Sequence, residues 1–258
     1  VALVSACGGQ DSAPVSAESE KAAGLDKGRP PPPPPPPPSG DRPASEAEAR
    51  RFLTQATFGP TDASVARLMT VRYTPWFAEQ FAATQTQHEA GFNALDQAHF
   101  SKFGYGVAQA GTLATFWKTA LTGEDQLRQR MAYAWAQIFV ISMQDGTIGS
   151  SGSAPSNYVD MLAAQGLGNF RQLLESVSLH PLMGSYLAHL RNRGPNPAAP
   201  QAPGGALPPP VPDENFAREL MQLFTIGLIK LKPDGTPLLS QFKEPQPTYA
   251  PTDVTGLS

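Results

Sequence analysis

The most regular hydrophobic spacing in the chain lies between residues 124 and 143. Leu127, Met131, Ala134, Trp135, Ile138 and Ile141 recur at i, i+4 and i+7, and Tyr133, Phe139 and Val140 fill much of the other side. A helix that is apolar nearly all round is predicted to be buried in a bundle. Upstream, Ser45-Glu46-Ala47-Glu48 has the pattern of a capping box, so a helix should start there. It would run through Phe52, Leu53 and Ala56 and stop at Gly59-Pro60. Thr61-Asp62 should cap a second helix carrying Val65, Leu68 and Met69 on one side. Thr74-Pro75 opens a third, because proline suits the first helical position, and Phe77 and Phe81 follow four apart. A fourth is expected over about 109–121, with Leu113, Phe116, Trp117 and Leu121 inward. Residues 84–106 are less periodic, hold Gly91, Gly104 and Gly106, and read as weakly structured.

A Gly/Ser loop at 145–156 precedes further helices at about 156–165, 168–179 and 181–190, punctuated by Gly166, Gly168 and Pro181. Residues 191–212 hold eight prolines, too many for a helix or a central strand, and read as a surface loop. Pro212 or Asp213 then opens a helix to about Ile226, with Phe216, Leu220, Leu223 and Phe224 on its apolar stripe. Leu228 to Leu239 alternates around Pro233-Asp234-Gly235, a hairpin signal. Thr252 reads as the N-cap of a last helix that has no continuation, so the helical domain of residues 45–258 reads as truncated at its C-terminus. The predicted fold class is mainly α: an irregular multi-helix bundle with a small β-hairpin near the C-terminus, preceded by a disordered Pro-rich tether.

Composition changes the picture mainly at the N-terminus. Nine of the 28 prolines form the run Pro30 to Pro38. Residues 8–44 are mostly Gly, Ser, Ala, Glu and Pro, so ordering them would bury little apolar surface. The proline run should form polyproline II, a stiff spacer of roughly 28 Å. Cys7, the sole cysteine, ends Val4-Ser5-Ala6-Cys7, the pattern of a bacterial lipobox. Residues 1–7 therefore read as a truncated lipoprotein signal peptide and lipobox, with Cys7 lipidated and the protein held at the outer membrane or in the periplasm. A lone cysteine also excludes an intramolecular disulfide and a cysteine zinc cluster. With 19 basic and 22 acidic side chains the net charge is −3, unlike a domain that grips nucleic acid.

No nucleophile elbow, zinc-protease helix, P-loop or dinucleotide fingerprint occurs, so neither a cofactor nor a metal is assigned. His88 and His99 fall in the weakly periodic stretch and read as surface residues. His180 stands between two helices and His189 near the end of the next. The richest polar cluster is Asp213-Glu214-Asn215-Phe216-Ala217-Arg218-Glu219. Asn215 and Glu219 share one helix face, and Glu214 and Arg218 are spaced for an ion pair. A carboxylate, an amide and an imidazole in one cleft could bind a hard cation or polarise a substrate. His180, Asn192, Asn215, Arg218 and Glu219 are therefore the candidate catalytic set. The alternative for the 213–219 cluster is a capped helix start with a solvated face.

Four segments carry a family resemblance: Arg51 to Pro60 (RFLTQATFGP), Leu127 to Ala132 with Gln137 to Val140, Leu179 to Leu187 (LHPLMGSYL), and Asp213 to Gly227 (DENFARELMQLFTIG). In order and spacing they resemble the bacterial domain-of-unknown-function 1800 family, over the N-terminal part of its domain. The resemblance implies a mainly helical, exported protein and supplies no activity. Two function classes follow. One is an envelope-anchored accessory protein, tied to the membrane through lipid on Cys7, that binds an envelope protein or polymer. The other is a helical hydrolase or metal-assisted enzyme built on the five-residue set.

Overall fold

The computed structural model describes residues 40–194 and 212–258. Cys7, the proline run and most of the 191–212 loop lie outside the described residues. The described chain is mainly helical. Its elements are α1 (Glu46–Ala56), α2 (Asp62–Val71), α3 (Tyr73–Ala82), α4 (His88–Phe103), α5 (Ala108–Thr122), α6 (Gln126–Ile138), α7 (Gly146–Gly149), α8 (Ala154–Gln165), α9 (Phe170–Leu179), α10 (Pro181–Tyr186), α11 (Asn215–Gln222) and α12 (Pro251–Leu257).

Local signals explain most helix starts. Ser45 Oγ accepts from Glu48 N, and Glu48 reaches back to Ala44 N. Thr61 and Ser64 cap α2 reciprocally. Asp41 accepts from the Thr74 amide and hydroxyl at 2.8 and 2.6 Å, so the chain is already tied to α3 four residues before Ser45. The last helix begins at Pro251 rather than at a Thr252 cap, because Asp253 accepts from Ala250 N.

The helices bury two apolar clusters. Ala49, Leu53, Val65, Leu68 and Trp76 of α1–α3 close around Leu127. Phe139, Tyr158, Leu162, Leu173, Val177, Met183, Phe216 and Phe224 form the larger cluster around Ala132. Leu127 and Ala132 both lie on α6, so this helix belongs to both clusters. It ends at Ile138, short of the expected 143, because Phe139 leaves helical geometry and turns inward, its carbonyl held by the Tyr158 hydroxyl at 2.9 Å. Ala134 and Ile138, expected inward, are exposed, and Gln129 is buried in their stead.

Two regions depart further from expectation. Residues 88–103 form a 16-residue helix, α4, where weak structure was expected. Its N–H groups are capped from α8 and not by local residues. Near the C-terminus, 228–248 makes isolated antiparallel bridges, Ile229 with Pro247, Leu231 with Pro237 and Leu239 with Pro245, in place of a paired-strand hairpin. Prolines at the bridge positions lack the N–H that a continuous ladder needs. The Pro233-Asp234-Gly235 turn does form, with Gly235 at φ 81° and Lys232 N bonded to Thr236 O at 2.8 Å.

Candidate functional site

The densest buried polar network lies where α4, α6 and α8 meet. Asp160 of α8 accepts from His88 N at 2.7 Å and Glu89 N at 2.9 Å, so one carboxylate satisfies two free amides at the start of α4. Burial raises the Asp160 pKa, although these two bonds oppose the shift. On α6, Gln129 Nε2 donates to Asp125 Oδ2 at 2.9 Å and to Thr86 O at 3.2 Å. Both acceptors fix the amide orientation, so Gln129 Oε1 must accept at 2.7 Å from His88 Nε2–H. The tautomer follows: His88 Nδ1 carries the lone pair, and that atom is buried without a partner. The ring is 1% exposed and stacks on Phe116 at 5.5 Å. Burial holds the imidazole pKa below its usual value, so His88 is neutral. It is therefore not the surface residue expected from sequence; the correction comes from packing against α5, α6 and α8.

Beside this network is a cavity of about 70 Å³ between α5, α6 and α8. Its walls include Thr112, Phe116 and Trp117 of α5, Tyr133 and Ala136 of α6, and Tyr158 and Val159 of α8. No Asp, Glu, His, Lys, Arg or Cys lines it, so it offers mainly apolar contact, and Thr112 adds one buried hydroxyl without a hydrogen-bond partner. Two of its wall rings carry the histidines: Phe116 stacks on His88, and Tyr158 meets His180 edge-on at 4.9 Å.

The five expected site residues separate into different duties. His180 caps α10, its Nδ1 accepting from Leu182 N at 3.2 Å, so its Nε2–H faces Asn157 Oδ1 at 3.3 Å. Burial lowers its pKa. Asn157 Nδ2 in turn donates to Glu89 Oε2 at 2.8 Å, and Ser153 Oγ donates to Glu89 Oε1 at 2.9 Å. Thus His180 joins a chain through Asn157 to Glu89, and its lone pair is already committed to the backbone. Asn192 is a bracket. Its amide bonds Asp213 O at 2.8 Å and Ser258 O at 3.1 Å, and its Oδ1 accepts from Asp213 N at 2.9 Å. Asn215 is exposed, with its backbone N–H on Asp213 Oδ1. Arg218 pairs with Glu214 on the outer face of α11, as the spacing predicted. Glu219 is partly buried, which raises its pKa. Among the described residues, no hydrogen bond or ion pair joins His180 to Asn215, Arg218 or Glu219. No group of three His, Cys, Asp or Glu residues there is arranged to hold a metal ion.

A family model described as "Protein of unknown function (DUF1800)" matches residues 51–258. The chain belongs to the DUF1800 family. No curated protein and no solved structure matches it. For this DUF1800 chain the sequence motifs pointed to His180 but missed His88, Asp125, Gln129 and Asp160. Of these four Gln129 alone lies in a segment that carries the family resemblance, Leu127 to Ala132, and their meeting needs α4, a helix that hydrophobic period does not reveal. One signal was present: a histidine, two aspartates and a glutamine are costly to bury unless they satisfy one another.

Proposed function

We propose that this DUF1800 protein is an exported lipoprotein, anchored at the cell envelope through Cys7, that works by binding a partner and not by catalysis. The observation that carries the binding half is the cavity among α5, α6 and α8, whose walls are mostly aromatic and aliphatic and carry no carboxylate, imidazole, amine or thiol. The residues that sequence suggested for catalysis have other work: His180 caps a helix, Asn192 clasps the chain, and Arg218 pairs with Glu214. The anchoring half rests on Val4-Ser5-Ala6-Cys7 and the proline spacer behind it. Among the described residues no helix is long and apolar enough to cross a membrane.

The test uses the natural full-length protein in its own host, fed an alkynyl fatty acid. The parent protein should become labelled and sediment with membranes, whereas Cys7→Ala should lose the label and the sedimentation. A photo-crosslinking residue at Leu113, on the cavity rim, should capture an envelope component from the parent. Unlabelled protein, or a Leu113 adduct profile identical to that of an exposed control site such as Lys243, would sink the reading.

An enzymatic reading keeps one specific support, the Glu89–Asn157–His180 chain, which links a carboxylate to an imidazole near the surface. It predicts a hydrolytic activity lost in Asn157→Ala while the fold persists.

A further inference from the structure

We propose that the α5/α6/α8 cavity takes the alkyl end of a linear acyl chain, and that Arg130 meets the chain's anionic head group. This deepens the binding reading and rests on it. Size selects a chain end over a ring: a cavity of about 150 Å³ accommodates benzene, and this one is about 70 Å³. The cavity is partly open to solvent, and Leu113 of its wall is 37% exposed. The uncharged walls require a charged head to stay outside.

Arg130 supplies the head-group contact. Its guanidinium lies 5.4 Å from the ring centre of Tyr133, a cavity wall, and 5.7 Å from that of Phe58. Phe58 packs against Phe116, Trp117 and Tyr133, so the cation and the cavity share one aromatic cluster. The only hydrogen bond of this guanidinium among the described residues is a long one, Nε to Gln55 O at 3.4 Å, and no carboxylate there pairs with it. A cation stacked on aromatic rings and free of a carboxylate is suited to an exogenous anion.

The full chain is titrated with decanoate and, separately, with decanol, read by calorimetry and tryptophan fluorescence. Decanoate should bind saturably. Ala136→Leu fills the cavity and should abolish binding while the melting temperature holds or rises; Val159→Phe serves the same purpose if the first variant loses helical signal. Arg130→Met should weaken decanoate about tenfold and leave decanol unchanged. A parallel arm with phosphatidylglycerol vesicles separates the sources: association sensitive to Ala136→Leu with vesicles alone assigns membrane lipid, and with decanoate alone assigns free acyl anions. Absence of saturable binding in both arms, or binding unaffected by both cavity-filling variants, overturns the acyl site. Equal losses for decanoate and decanol in Arg130→Met overturn the head-group contact. Sedimentation and labelling of Cys7 are independent of all these readouts, so failure of the anchor and failure of the acyl site are told apart.

Discussion

His88 is the residue on which the most structure converges. It gives a backbone N–H to Asp160, a ring N–H to Gln129 and a ring face to Phe116, and its remaining nitrogen has no partner. Protonation would put a charge on that nitrogen. The charged groups around it are Asp160 on α8, Asp125 just before α6 with Arg128 3.9 Å from it, and Glu89 on α4. The two aspartates favour the cation, but burial outweighs them and the pKa falls. A histidine whose folded pKa is depressed binds protons more readily in the unfolded chain. Stability should therefore be full above about pH 6.5 and decline as pH drops from there towards the folded pKa, with a slope of up to about 1.4 kcal/mol per pH unit. His180 adds an effect of the same sign, and Asp160, with its raised pKa, acts oppositely just above its ordinary 3.8. Urea melts at a series of pH values should show this decline, and His88→Gln should flatten most of it. An unchanged pH profile in His88→Gln would show that the orphan nitrogen does not titrate with folding.

At the scale of elements, legibility depended on whether a helix carries its own start signal. Ser45 and Thr61 cap helices within three residues of themselves, and α1 and α2 could be read accordingly; Asn169 caps α9 in the same way. The start of α4 is capped by Asp160, 72 residues away, and among its 16 residues His88 and Phe92 are the ones fully buried. Neither local capping nor hydrophobic period can announce such a helix; it exists because α5 and α8 receive it. Gly91 is part of that fit, since a Cβ there would lie 2.7 Å from Thr115 Cγ2. Two consequences are measurable. Asp160→Asn keeps one acceptor but loses the charge and the second oxygen, and should cost about 1–3 kcal/mol. Its signature should be local, with faster hydrogen exchange at the first turn of α4 and little change in α1–α3. Gly166→Ala should cost a similar 1–3 kcal/mol for another reason: a Cβ there meets Trp135 Cδ1 at 2.7 Å and the Leu162 backbone oxygen at 2.6 Å, both closer than van der Waals contact allows. Had Asp160→Asn slowed or left untouched the exchange of α4, the long-range cap would be irrelevant to that helix.

For the molecule as a whole, the decisive feature is α6. Its early residue Leu127 sits in the cluster of α1–α3, and Ala132, less than two turns on, sits in the cluster of α8–α11. Periodicity marked α6 as central but could not show that it serves two cores, because the apolar side chains it meets come from helices scattered along the chain. A rigid helix shared by two clusters transmits the loss of either one to the other, so the described body should unfold as one unit. Two tryptophans allow a direct test: Trp76 is 5% exposed in the first cluster, and Trp135 packs against the second. In variants keeping only one of them, with phenylalanine at the other tryptophan positions, the urea transitions reported by Trp76 and by Trp135 should coincide. Leu53→Ala and Leu162→Ala remove fully buried side chains from opposite clusters and should each cost about 3 kcal/mol. Each should shift both reporters together, the distant one as far as the near one. If Leu53→Ala moves the Trp76 transition and leaves that of Trp135 in place, α6 yields between Leu127 and Ala132 and the two clusters are separate folding units.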